Sequence, residues 1–113
     1  LSKKTVAQIV EQQQHYLMAL KPNQPTLYQT LEHLRRSGTP LSQAQTLEHN
    51  HNRLVHRQVW VYAAPENLQS QWAGLQRLIW VERWGMREGK PFAEQVGYIS
   101  DLELQAAELL PHI

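Results

Sequence analysis

Apolar positions recur along this chain at two periods, and the period changes near its middle. Val6, Ile9, Val10 and Gln13 share one helical face and three of the four are apolar, so a helix is expected from about Lys3 to Gln14 with Ser2 as its cap. His15-Tyr16-Leu17-Met18-Ala19-Leu20 is a short apolar run, and its length suits a strand buried on both sides. Lys21-Pro22-Asn23-Gln24 breaks that run, and Pro25 fits the first turn of a second helix. Leu27, Tyr28, Leu31 and Leu34 would line its buried face, Glu32 and Arg36 would pair four apart in solvent, and Gly38 and Pro40 would end it. Residues 37–50 are polar and predict a loop with one helical turn.

Beyond that loop the pattern favours strands. Leu54–Tyr62 is rich in valine and aromatics, and Leu78–Met86 carries apolar residues on both alternating sets. Pro65-Glu66-Asn67 opens a short helix between them, with Leu68, Trp72 and Leu75 on one side. Glu88-Gly89-Lys90-Pro91 is a turn into a third strand, Phe92–Ile99. Ser100 with Glu103 forms a capping box for a last helix, whose apolar face would be Leu102, Ala106, Leu109 and Leu110. The fold class expected is α+β.

The 113 residues suffice for one domain with a genuine core. A formal net charge of +1 argues against a strongly basic nucleic-acid-binding domain while allowing a local basic face. With no cysteine, disulfides and thiolate metal sites are excluded. No apolar run reaches the roughly 20 residues of a membrane span, so a cytoplasmic protein without membrane contact is expected. Leu1 and the Pro111-His112-Ile113 end both read as cuts through a longer protein.

Candidate chemistry is sparse. The chain has no nucleophile motif, no glycine-rich phosphate loop and no spaced acidic cluster, so no catalytic residue is assigned. Glu82, Glu94 and Asp101 are expected to pair with Arg83, Arg87 or Lys90 at the surface. His49, His51 and His56 are the strongest metal candidates but lack an evident fourth partner, so they are expected to be solvated or hydrogen-bonded, and no metal or cofactor is assigned to the chain. Trp60, Trp72, Trp80 and Trp84 can stack on bases, but their spacing among valines and leucines favours core packing. Arg53 and Arg57, four apart on a strand, share a face that with His51 can hold phosphates; the alternative is a solubilising strand face.

The stretch from His15 to Gln24 resembles DDE transposases of the H-repeat-associated type, which carry a similar apolar strand ending in Leu-Lys-x-Asn-Gln before a helix with Leu and Tyr. Lys3-Lys4 and the helix after it are also similar. His51-Asn52-Arg53 with Arg57 resembles that family's His-Gly-Arg…Arg strand, although Asn52 replaces the usual glycine and Val55 a common acidic residue. Gly97-Tyr98-Ile99-Ser100-Asp101-Leu102 is similar to its Tyr-Tyr-Ile-Ser-Ser-Leu stretch, and these blocks follow the family's order over nearly the whole chain.

The resemblance implies a partial RNase H-like core (helix-strand-helix) over residues 1–40, a strand-rich antiparallel insertion over 41–100, and the start of a following core helix over 101–113. It further implies DNA transposition by an intact enzyme in which three acidic residues hold two Mg2+ or Mn2+ ions for cleavage and strand transfer. No position here matches any of the three, so the chain alone is expected to be inactive. The implied nucleic-acid-binding residues are Lys21, Asn23 and Gln24 at the end of a core strand, with His51, Arg53 and Arg57 in the insertion. DNA binding by the segment is expected to be weak, and its exposed core strand points to a homodimer. The competing expectation is a small non-enzymatic α+β binding or dimerisation module, supported by the missing catalytic set and the near-zero net charge.

Overall fold

The computed structural model describes Gln8, residues 11–21 and residues 24–113. The expected first helix falls mostly outside these residues, as does Asn23. Five strands, β1 (Leu17–Leu20), β2 (Ser42–Asn50), β3 (Arg53–Ala63), β4 (Arg77–Arg87) and β5 (Lys90–Ser100), pair antiparallel in the order β1-β5-β4-β3-β2. Helix α1 (Pro25–Ser37) joins β1 to β2, a single turn α2 (Glu66–Gln69) lies between β3 and β4, and α3 (Ala106–Leu109) leads into a 3-10 turn, Leu110–His112. The molecule is α+β. No helix among the described residues is long and apolar enough to cross a membrane.

Alternation places two hydrophobic layers on the sheet. Trp80, Leu78, Tyr62 and Ile99 point to one face and meet Leu27 and Leu31 of α1, Leu68 of α2, and Trp72 and Leu75. Trp80 is fully buried; its indole N–H donates to Glu82 Oε1 at 3.0 Å, and Tyr28 meets its ring edge-on at 6.1 Å. Gly97 lets α1 come this close, because a Cβ there would lie 2.7 Å from Leu31 Cδ2. Val59, Val61, Ile79 and Val81 fill the opposite face under Ala106 and Leu109. Pro25 starts α1 where its missing N–H costs nothing, and Glu32 pairs with Arg36 at 3.3 Å, as the spacing predicts.

Three expectations need correction. Residues 42–50 form a nine-residue edge strand where a loop was expected, held by backbone pairing to β3 from Ser42↔Val61 to Asn50↔Arg53. The run 15–20 is not buried on both sides: β1 is the opposite edge strand, with Met18 and Leu20 turned inward while Leu17 and Ala19 are exposed. Ser100 caps no helix. It ends β5, fully buried, and its hydroxyl donates to the Tyr16 carbonyl at 2.8 Å while accepting from Leu102 N–H at 3.0 Å. The capping box is Gln105 with Glu108, five residues later.

Around Ser100 the start of β1 is tied to the end of β5. Asp101 accepts from Tyr16 N–H at 2.9 Å and pairs with His15 Nδ1 at 2.9 Å, and Tyr16 O–H donates to the Ala73 carbonyl at 3.0 Å. Burial, with Asp101 adding its charge, pushes the Tyr16 hydroxyl up to about 12.

Candidate nucleic-acid interface

Both hydrophobic layers cover the same end of the sheet. Toward the β2–β3 and β4–β5 turns this cover thins: Ala107, Leu110, Pro111 and Ile113 still border an open pocket with Thr46, Glu48 and Arg57, and burial along β4 falls from complete at Leu78–Val81 to exposed at Met86 and Arg87. The β4–β5 turn is tight: Glu88 and Gly89 have φ of 51° and 77°, the signature of a type I′ hairpin. Glu88 N–H donates to the Asn52 carbonyl at 3.0 Å and so joins the two hairpin tips.

This projecting part carries the basic residues on one face. Arg53 and Arg57 share a face of β3, as their spacing requires, and the register sets Arg53 opposite Arg87 and Arg57 opposite Arg83. Like charges directly opposite one another are unfavourable. Two carboxylates offset them in part: Glu48 accepts from Arg57 at 2.9 Å, and Glu94 lies 3.5 Å from Arg83 and 3.1 Å from Arg87. The hydrogen bond and charge of Arg57, reinforced by Arg53, hold the Glu48 carboxyl below the usual carboxylate range. Arg53 is exposed and forms no ion pair among the described residues. An open groove of about 640 Å³ lies between Asn52, Arg53, Arg87 and Glu88. Arg87 also lies 4.0 Å over the Phe92 ring, which fixes where its charge sits.

The remaining candidates are scattered. His51 lies in the exposed β2–β3 turn, beside Arg53 but off the strand. Lys21 is exposed just beyond β1, and Gln24 is the N-cap residue of α1, its backbone N–H bonded to the Lys21 carbonyl at 3.0 Å. β5 and β4 separate these two from Arg53 and Arg57, so the five described candidates do not form one site. Glu94 pairs with arginines as expected, but Glu82 serves Trp80 and Gln95, and Asp101 serves Tyr16 and His15. No group of three or more His, Asp or Glu residues able to hold a metal occurs among the described residues. Sequence reasoning assigned Arg83 and Arg87 only to surface ion pairs; their four-residue spacing repeats that of Arg53 and Arg57 and was the available signal.

Comparison with protein-family profiles, with curated proteins and with solved structures finds no match for the chain.

Proposed function

We propose that this chain is an interior portion of a DDE-class DNA transposase whose projecting β2–β5 sheet faces DNA, the portion itself lacking the acidic catalytic set. The observation that carries the DNA-facing role is the pairing of Arg53 with Arg87 and of Arg57 with Arg83 on one sheet face, with Arg53 and Arg87 exposed at its projecting end. Glu48 and Glu94 offset the charge of Arg57, Arg83 and Arg87 in part, and bound phosphate would neutralise what remains through charge-assisted hydrogen bonds, above all at Arg53, unpaired among the described residues, beside Arg87. The resemblance over His15–Gln24, His51–Arg57 and Gly97–Leu102 supplies the family. The position of β1 agrees with this reading: it is an edge strand leading directly toward α1, and among the described strands it has a neighbour on one side only. In an RNase H-like core the missing strands would pair along that open side.

Binding of a labelled 20-base-pair duplex across a salt series tests the proposal. With few phosphates neutralised, the Kd should fall in or above the roughly 10⁻⁴–10⁻⁶ M range of non-specific complexes at physiological salt. Arg53→Ala with Arg57→Ala should reduce the log–log salt slope by about 1.8. An unchanged slope would remove DNA binding from this face. Supercoiled plasmid with Mg2+ or Mn2+ should show no nicking above buffer, and cleavage that copurifies with the chain would contradict the missing acidic set.

A dimerisation role is the second reading, favoured by the exposure of Leu17 (45%) on an edge strand. Sedimentation equilibrium at micromolar concentration tests it, and a clean monomer rules it out.

A further inference from the structure

The sheet face opposite the arginines is also uncovered at the projecting end, and it carries an aromatic pair. His56 and Trp84 are direct cross-strand partners whose rings are parallel within 5° with centroids 5.0 Å apart. Parallel rings this close cannot lie side by side in one plane. The separation matches the spacing of neighbouring strands, so the rings stand upright from the sheet and the stack runs across the strands. One face of Trp84 is therefore occupied by His56. The other faces across Ala93, its partner on β5. Ala93 is exposed and has only a methyl group to offer, and β1 extends beside β5 only from Gly97 to Ser100. Among the described residues the result is a half-built stack: one aromatic wall, a small floor, and an open side at the sheet edge.

The neighbouring row shows what the slot suits. Gln45, Gln58, Glu82 and Gln95 stand side by side across β2, β3, β4 and β5, one residue pair inward of the aromatic stack. The amides of Gln45, Gln58 and Gln95 offer donors and acceptors together, the mixture presented by the edge of a nucleobase, while the Glu82 carboxylate accepts from Trp80 and Gln95. Arg87 and Lys90 stand at the same end of the sheet, paired across the β4–β5 turn, where phosphates leaving the slot around the β5 edge would meet positive charge. A duplex keeps its bases stacked inside, so only an unpaired base can reach the indole.

We infer that Trp84, backed by His56 and floored by Ala93, is a stacking site for an unpaired nucleobase of single-stranded DNA. The inference rests on the nucleic-acid reading above and adds to it a second face with a different ligand form. The arginine face holds phosphates of either form, while the Trp84 face distinguishes a base from its absence.

The test uses the 113-residue chain and three labelled ligands: a dT12 oligonucleotide, an abasic sugar-phosphate strand of equal length, and a 12-base-pair duplex. dT12 should bind about tenfold more tightly than the abasic strand, in keeping with stacking of a base on an aromatic side chain. Trp84→Ala should erase that preference and Trp84→Phe should keep most of it. Arg53→Ala with Arg57→Ala should weaken all three ligands alike. In the unsubstituted protein the Trp84 indole N–H resonance should shift with dT12 and stay in place with the abasic strand, a readout that does not depend on whether Trp84→Ala folds. Equal affinity for dT12 and the abasic strand, or a resonance indifferent to the bases, overturns the stacking site while leaving phosphate binding intact. Failure of all three ligands to bind removes both readings.

Discussion

Replacing Gly85 by alanine should destabilise the sheet more than any other glycine-to-alanine change in the projecting hairpins. Gly85 lies between Trp84 and Met86 on β4, opposite Val55, with φ of 150°. L-residues rarely adopt such backbone, and enforcing it costs about 1–3 kcal/mol. A Cβ here also has no space. It would overlap the Leu54 carbonyl oxygen and stand 2.8 Å from the carbonyl carbon and 3.3 Å from Val55 Cα, all backbone atoms of the paired strand. Because no side chain can swing away, β3 and β4 must part locally, and the total cost should be about 3–5 kcal/mol. Unfolding entropy of about 2.1 cal/mol/K per residue gives roughly 0.24 kcal/mol/K for this chain, so Tm should fall by about 12–20 °C. Gly89→Ala is the internal control. Gly89 has φ of 77° but nothing within 4 Å of a Cβ, so it carries only the conformational term, about 1 kcal/mol or 4 °C. Thermal melts by circular dichroism, with urea titration for ΔG, measure both. If Gly85→Ala melts within a few degrees of the parent, or no lower than Gly89→Ala, the close approach of β3 to β4 is not as described.

Glu88→Asn should raise stability by about 0.5 kcal/mol in a urea titration, because asparagine tolerates the φ of 51° that Glu88 holds in the type I′ turn. Ser100→Ala should cost about 1–3 kcal/mol, since the Leu102 N–H and the Tyr16 carbonyl both lose a partner, and an unchanged urea midpoint would contradict that network. Stability should also decline in alkali. The folded value of Tyr16 lies above its unfolded one, so its contribution is complete below about pH 10 and is lost as pH rises toward 12, and Tyr62, raised by burial, acts in the same direction. Tyr16→Phe should flatten part of that alkaline slope in ΔG measured against pH. Arg57→Ala should return the Glu48 carboxyl toward its ordinary range, followed by carboxyl carbon NMR.

Elements with strong periodicity were legible in the sequence. The valine-rich and aromatic segments became β3 and β4 within a residue of their expected limits, and Pro25 with Leu27 and Leu31 marked α1. β2 was not legible, because Ser42-Gln43-Ala44-Gln45-Thr46-Leu47-Glu48-His49-Asn50 has little strand propensity and buries no residue completely; β3 supplies the backbone partners that make it a strand. Ser100 misled for a related reason. Its hydroxyl satisfies the backbone, but that of Tyr16 and Leu102 at a strand end, not that of a helix start. Arg53 and Arg57 could be placed on one face from spacing alone. Their opposition to Arg87 and Arg83 depends on the register, which the β3–β4 connection sets over more than ten residues of irregular chain and α2.

The ladder between β1 and β5 joins positions far apart in the chain, from Leu17↔Ser100 to Leu20↔Gly97. Each hairpin, by contrast, turns back on itself through two residues. Loop closure is cheap for the hairpins and expensive for β1, so the order of assembly follows from topology: two hairpins first, their joining next, and β1 last. The last contacts to form are the first to open when a chain fluctuates. Amide hydrogens on β1 should therefore exchange faster than those at the centre of β3 and β4, and the seam at Tyr16, Ser100 and Asp101 is where this protein would come apart without unfolding.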